Sequence, residues 1–563
     1  MIYNGNSPWL DRSQKLSSRF DQFLTPIAEN IVKKAGKRRK EDAVQNVKTA
    51  LSVILANVLR SHALHPTYGV RIDLSNDGYP EGPFNPRRLG IRSVRKVVNY
   101  LANSNPQLIH KKGGNRDKVR GFQYPTEIWI SDFLKDAILT HMAQEKSTSI
   151  NPSNSYSLPI TRNTFGIDDY TSRYYMIFER MDLPSIRLRK GSSKSDGRFM
   201  DFEHNEETRS METRLARYNS FMSSNAKTNL FLDDKSMVEL QKSRDHNYEE
   251  FGRSDSEPPS ADLAAPTRLY RVFNQGRFDH GGRFYGGWWQ SIPGRYRRFI
   301  TINGTPTVEV DFSGIQVAML YAMIGQQLEG DAYAIEGFGP EFRRVVKTAT
   351  LAMINAKGRI EPPHKSDLPP SVTWNDLREA IMAKHKPIAK FFGSGEGIRL
   401  QRLDSDIAAD VMIRMIEKGI PVLPIHDSFI VAEGHDNELS EIMLSAYRQR
   451  MAGRTISLKR SPALLDDLLT GYPNLIPSKR HSLGMKLFLA RKESPDYIGY
   501  RRREELLAES LGDRLLTIKA TRPQRDAPKG QITGTGPMAA FLQFASKGIP
   551  QPLSRLWDWC LRT

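Results

Sequence analysis

Two aspartates stand where apolar, β-forming residues run out. In TVEVDFSGIQVAMLYAMIG, Val308 and Val310 alternate with polar residues and lead into Asp311. Ile315, Ala318, Met319 and Ala322 then follow at helical spacing, so the pattern predicts a strand, an acid and a helix. Further along, 419–425 (GIPVLPI) reads as a strand that enters His426-Asp427-Ser428 and returns through 429–431 (FIV), with Asp427 at the tip of a short reversal. Carboxylates at the ends of two buried strands can hold two divalent cations roughly 3.5–4 Å apart, one activating an attacking oxygen and the other stabilising a leaving one. Each motif also has a plainer reading. Asp311 could simply cap its helix, and Asp427 could be an ordinary turn acid.

The segment between them decides the matter. EFRRVVKTATLAMINAKGR (341–359) places Arg343, Lys347, Leu351 and Asn355 four apart, on one face of a helix whose other positions are mostly apolar. Arg can grip phosphate oxygens as a fork and Lys as a point charge. Acid, cationic helix and acid, in that order, make a nucleotidyl-transfer site. The acids would hold metal ions, the cations would hold pyrophosphate, and positioning plus charge stabilisation would carry the chemistry.

These motifs resemble family A DNA polymerases (the DNA polymerase I class) and their relatives, the single-subunit phage-type RNA polymerases. DFSGIQ is similar to motif A, FRRVVKTATLAMINAKG to the motif B fingers helix, and IHDS to motif C, the His-Asp hairpin. GGRFYGGWWQSIPGRYRRFI resembles the family's upstream TGR…NLQNIP segment, and SDIAADVMIRM its palm helix before motif C. The resemblance covers about 269–445. It implies two Mg²⁺ ions, with Mn²⁺ as the alternative, held by Asp311, Asp427 and the backbone carbonyl of Phe312. It implies nucleotide binding by Arg343, Lys347, Leu351, Asn355 and Gln316, and primer–template contacts from Arg283, Gln290 and His426.

The departures bear on the sugar. Asn355 stands where the family has Tyr, Leu351 where it has Phe, Ala356 where it has Gly, and Gln316 where DNA polymerases have Glu. The family's sugar choice depends on these positions, and SGIQ and HDS are similar to the RNA polymerase branch. The shorter Asp311-to-Asp427 spacing implies reduced fingers. Asp201-Phe-Glu203 and Asp255-Ser-Glu257 are the Asp-x-Glu pairs considered for an exonuclease, and both lie in polar, loop-like sequence.

The elements that must position this site belong to a long, basic chain. The 563 residues suit two to four domains, and 82 Lys plus Arg against 63 Asp plus Glu give a net charge of +19, which points to a nucleic-acid partner. No run of about 18 apolar residues occurs, so no membrane partner is expected and a cytoplasmic location is. A single cysteine, Cys560, excludes an intrachain disulfide framework and a cysteine-based zinc site.

Residues 41–61 read as an amphipathic helix, and 87–105 as a basic helix with Val94, Val97, Val98 and Leu101 on one face. Two strand-like stretches around a glycine-rich basic turn follow. That order predicts a winged-helix-like DNA-binding domain over 1–140, with Arg87, Arg88, Arg92, Arg95 and Lys96 near phosphates. Lys111, Lys112, Arg116, Lys118 and Arg120 would form the wing. A linker and thumb-like helical region is expected over 141–265, polymerase palm and fingers over 266–475, and a basic C-terminal extension over 476–563.

The expected fold class is therefore α+β: a right hand with an antiparallel palm sheet, preceded by a mostly helical winged-helix-like domain. The expected activity is DNA-directed DNA synthesis from nucleoside triphosphates on a primer–template, suited to a plasmid, phage or other mobile element. The alternatives are an RNA polymerase, primase or template-independent nucleotidyltransferase, or a non-catalytic DNA-binding replication initiator that keeps the palm as scaffold.

Overall fold

The computed structural model describes residues 10–138, 178–240 and 268–504, apart from 35–40, 65–68, most of 76–84, 114–125, 181–182, 192–198, 238, 359, 361–371 and 502. Most of the predicted wing (Arg116, Lys118, Arg120), most of the predicted linker, the Asp255–Glu257 pair and Cys560 lie outside the described residues. The chain divides into two compact units, one formed by Met1–Leu183, Ser243–Pro258 and Leu506–Thr563, the other by Pro184–Lys242 and Pro259–Glu505. The fold is mixed α and β. Among the described residues, no helix is long and apolar enough to cross a membrane.

In the first unit, strand β1 (Gln14–Leu16) precedes helices α1 (Asp21–Lys34) and α2 (Glu41–Leu64). The LSVILANV centre of α2 is buried on every side, so this helix is the unit's axis rather than a one-sided surface helix. Strand β2 (Val70–Ile72), helix α3 (Ile91–Ala102) and strands β3 (Ile109–Lys112) and β4 (Thr126–Ile130) follow, and β5 (Phe178–Arg180) pairs antiparallel with β1. The three middle strands form an antiparallel sheet in the order β2-β4-β3, with Val70 opposite Ile128 and Ile109 opposite Ile130. Val94, Val97, Val98 and Leu101 of α3 are buried, which leaves its basic residues facing outward.

The second unit opens with strands β6 (Ile186–Arg189) and β7 (Phe199–Met200), then helix α4 (Glu206–Asn225), whose first turn is closed by a reciprocal Asn205–Thr208 capping box. Strand β8 (Thr228–Leu230) follows, then the hairpin β9 (Tyr270–Asn274) and β10 (Arg277–Tyr285). These give a four-stranded sheet, β10-β9-β6-β7, antiparallel except for the parallel β6–β9 pair. Gly282 is the extra residue of a bulge in β10: its φ is +82°, and a Cβ there would come within 2.7 Å of the Phe273 ring, so only glycine fits.

The central sheet is antiparallel, in the order β13-β14-β12-β11-β8. It contains β11 (Ile300–Ile302), β12 (Thr305–Phe312), β13 (Val422–Ile425) and β14 (Ser428–Ala432), and β15 (Leu458–Arg460) pairs with the end of β12. Helix α5 (Ile315–Met323) leaves the end of β12, α6 (Arg343–Asn355) and α7 (Trp374–Lys384) come next, and α8 (Gly397–Glu417) and α9 (Asp436–Arg450) flank the β13–β14 hairpin in sequence. Val422, Leu423, Phe429, Ile430 and Val431 are each at most 1% exposed, so the hairpin bearing Asp427 stands on a fully buried base. Full burial of each such side chain contributes on the order of 1.5–3 kcal/mol.

Residues 477–504, where composition set off a basic extension, are part of this unit. Helices α10 (Leu464–Leu468) and α11 (Pro477–Lys492) bring Leu464, Leu465 and Phe488 together with Tyr497, Tyr500 and Phe231 in one apolar cluster. Arg503, also buried, donates from Nε to Asn229 Oδ1 at 3.0 Å.

Candidate active site

Asp311 belongs to β12 itself. The residue at the head of α5 is Gly314, at φ 63°, and no side chain caps that helix. The helix-capping reading of Asp311 is thereby excluded. A Cβ on Gly314 would lie 3.0 Å from Ala332 Cβ, so a side chain there would push away the loop that crosses the site.

Across the sheet Asp311 pairs with Ser428 on β14 and with Lys459 on β15. Ile425 and Ser428 are paired, so His426 and Asp427 are the whole reversal, and the Phe312 amide donates to the Asp427 carbonyl at 3.4 Å. This fixes the tip of the hairpin beside the end of β12. His426 takes φ 55°, a left-handed conformation that costs a non-glycine residue about 1–2 kcal/mol. Two groups hold the hairpin from below: Trp289 Nε1 donates to the Pro424 carbonyl at 3.0 Å, and Gln290 Nε2 donates to the same oxygen at 3.2 Å. Gln290 also donates to the Phe284 carbonyl at 3.0 Å and accepts from the Gly287 amide at 3.3 Å, so its amide is engaged inside the protein.

The electrostatics are those of crowded acids. Burial, then the neighbouring Asp427 and Glu309, push the Asp311 carboxyl up to about 7 against the opposing pull of Lys347 and Lys459. Asp311 Oδ1 and Gln316 Oε1 are buried and have no hydrogen-bond partner among the described residues. The His426 imidazole is pushed down to about 4 by burial and by Arg283 and Arg297, so it is neutral at pH 7; its ring meets Tyr285 edge-on at 5.9 Å.

Three further acids converge here that sequence reasoning did not single out. Glu309, two residues before Asp311 and hence on the same face of β12, accepts from Ser428 Oγ at 2.7 Å and from Arg297 Nε at 3.0 Å. The alternation of β12 could have revealed it. Asp404 of α8, its side chain 0% exposed, pairs with Arg283 Nη2 at 2.8 Å. Burial and Asp427 raise its carboxyl to about 6, against the Arg283 charge. Its polar neighbours in α8 hide it in the sequence.

The third is Asp331, in the loop before α6, which receives Arg343 as a fork at 2.6 and 3.0 Å. Lys384 Nζ donates to the Asp331 carbonyl at 2.7 Å, and His385 Nε2 lies 2.9 Å from the Ala332 carbonyl, so α7 pins this loop down. The loop carries Tyr333, whose ring has Arg343 at 5.3 Å and Lys347 at 5.9 Å; burial, then Asp427, hold its phenol up at about 12.

Arg343, Lys347 and Asn355 are exposed on one side of α6 and Leu351 is half-buried, while Val346, Ala349, Thr350, Met353 and Ile354 are buried on the other. Asn355 donates to the Leu351 carbonyl at 2.7 Å and stands against Gly397, where any Cβ would collide with its Oδ1.

In the first unit the predicted cations divide. Arg87 and Arg95 donate to the carbonyls of Ser13 at 3.0 Å and Leu74 at 2.9 Å, and Lys111 donates to Asn99 Oδ1 at 3.1 Å. Arg88, Arg92, Lys96 and Lys112 are exposed, with Arg88 at φ 50°.

No family model and no curated protein matches the chain. Among solved structures, the POL domain of Pol1 from M. smegmatis, in complex with DNA primer-template and dNTP, matches with 14% identity and a TM-score of 0.26 over 40% of this chain and 51% of that one. The chain thus spans about half the length of that domain. A likeness at this level carries neither fold nor function across.

Proposed function

We propose that the second unit is a template-directed nucleotidyltransferase, a DNA-directed DNA polymerase working with two Mg²⁺ ions, and that the first unit binds duplex DNA in the manner of a winged helix. The observation that carries the reading is Asp311. A half-buried carboxylate beside a second one, with a buried and unpartnered oxygen and a pKa raised to about 7, is a site that a divalent cation would relieve.

The donor set fits Mg²⁺. Among the described residues, no group of three or more His, Cys, Asp or Glu side chains is arranged to hold a metal. Mg²⁺ usually needs only one or two carboxylates, with phosphate oxygens and water completing its octahedron. Asp311, Asp427 and the Phe312 carbonyl would hold the ions. Bound there, they would polarise the α-phosphate and stabilise the attacking and leaving oxygens.

The protein's own groups do the rest. Lys347 offers a point charge to the triphosphate, and Arg343 offers its guanidinium once the Asp331 fork opens. The primer's 3′ oxygen forms a bond to the α-phosphorus as the bond to pyrophosphate breaks, and the Arg343–Lys347 face receives the leaving charge. Neutral His426 and the Asp404-held Arg283 would contact the primer end. Ser428, Glu309 and Arg297 form a hydrogen-bonded chain that keeps the hairpin on β12.

For the first unit, the supporting facts are the β2-β4-β3 sheet, of which β3 and β4 follow α3, and the outward Arg92 and Lys96. The test is extension of a labelled primer–template with Mg²⁺ and either dNTPs or NTPs, beside Asp311→Ala and Asp427→Ala. Extension by the wild type alone, with dNTPs preferred, is the expected result. No extension with either substrate would remove the enzyme reading, NTP preference would move it to RNA synthesis, and active variants would remove the site.

A further inference from the structure

The side chain of Tyr333 touches both halves of the site, the turn that follows β12 and the cationic face of α6. A Cβ placed on Gly314 would lie 3.8 Å from Tyr333 Cε2 and 3.9 Å from Cζ, the carbon that bears the hydroxyl. The Arg343 guanidinium sits 5.3 Å and the Lys347 ammonium 5.9 Å from the centroid of the same ring. The backbone around Tyr333 is tied at three points. Its amide donates to Asp331 Oδ1 at 3.0 Å, the Ala332 carbonyl accepts from His385 Nε2 at 2.9 Å, and the Ala334 carbonyl accepts from Lys384. The residue is 3% exposed, yet its hydroxyl has no hydrogen-bond partner among the described residues.

We infer that the Tyr333 hydroxyl is a phosphate-binding group, donating a hydrogen bond to the triphosphate of the incoming nucleotide between the Asp311–Asp427 pair and the Arg343–Lys347 face. The inference rests on the reading of this unit as a nucleotidyltransferase, and it adds a group that none of the motifs recognised in the sequence contains. Burial without a partner is costly for a hydroxyl, and a loop tied at three points keeps this one from turning away to find one. Burial, then the field of Asp427, keeps the phenol protonated far above neutral pH, so the hydroxyl has a proton to offer. Two cations against the same ring make a phosphate oxygen, rather than a sugar hydroxyl, the acceptor that belongs there.

The test uses the full chain with Mg²⁺ and no DNA, and reads by calorimetry the affinity for inorganic tripolyphosphate, for a dNTP and for an NTP. Tyr333→Phe keeps the ring, and with it the contacts to Arg343 and Lys347, and removes only the hydroxyl. It should bind all three probes about 10-fold more weakly, the effect of one hydrogen bond to a charged acceptor. Its melting temperature without ligand should match or exceed that of the wild type. Unchanged affinity for tripolyphosphate, or none in either protein, would overturn the inference. A loss confined to the two nucleotides would also do so, by placing the contact at the sugar or base. A variant that melts lower and binds all three probes weakly would overturn it as well, by assigning the hydroxyl to the fold. Because binding is read without a primer, a 10-fold loss in a protein that never extends one would keep the phosphate contact and sink the polymerase reading alone.

Discussion

Helices α3 and α6 look alike in sequence and work in opposite surroundings. Each lays an apolar stripe inward and a basic stripe outward: Val94, Val97, Val98 and Leu101 beneath Arg92 and Lys96 in one, Val346, Ala349, Met353 and Ile354 beneath Arg343 and Lys347 in the other. On α6 the cations meet acids, Arg343 through the Asp331 fork and Lys347 through the field it shares with Asp311. On α3, Arg92 and Lys96 have no ion pair among the described residues. A basic stripe by itself says only that a polyanion is welcome. Crowded acids opposite it add what the proposed chemistry needs, since such acids would call for metal ions where the cations call for phosphates.

The largest effect that would sharpen this contrast is on stability. Asp311 titrates near 7 in the fold against an ordinary value near 4, so the folded state holds this proton more tightly than the unfolded chain. Without divalent cations, stability should fall as pH rises from about 4 to 7 and then level off. That difference in proton affinity corresponds to about 4 kcal/mol as an upper bound. Asp311→Asn should remove that slope, which thermal melts across this range would show; an identical slope in the variant would place the titration elsewhere.

Next comes Lys347→Ala, expected to lower kcat/KM for nucleotide about 100-fold, the loss of one charge-assisted contact, with duplex affinity unchanged. The matching change on the other helix, Arg92→Ala/Lys96→Ala, should do the reverse. Duplex binding should weaken several-fold with a salt slope shallower by about two, while extension at saturating primer–template is kept. If the α6 variant and the α3 double variant damaged the same step, the contrast between the helices would collapse. The smallest effect is expected from Ser428→Ala, which deletes the 2.7 Å bond to Glu309 and should cost about 1 kcal/mol, read in denaturant melts.

The site was legible where one element carried its own period. The alternation before Asp311, the fourfold spacing on α6 and the two-residue reversal at Asp427 all became the predicted strand, helix and hairpin. Groups placed by tertiary packing left no such trace. Asp404 is buried only because α8 brings it to Arg283, and Asp331 and Tyr333 sit in a loop whose course is set by Lys384 and His385 of α7's end. In the fold, α2 read as one-sided because periodicity cannot see that α1, α3 and the sheet cover its remaining sides. The polar texture of 477–504 likewise concealed Phe488, Tyr497 and Tyr500, three aromatics too widely spaced to form a pattern.

The central claim is that Asp311 and Asp427 are crowded together to receive divalent cations. Thermal unfolding at pH 8, with and without Mg²⁺ at about ten times its dissociation constant, tests it directly in the wild type and Asp311→Asn. The account predicts a stabilisation of about 1.4 kcal/mol by Mg²⁺ in the wild type, and none in Asp311→Asn, which starts from a higher melting temperature. A wild type indifferent to Mg²⁺, or an equal gain in both proteins, would contradict it.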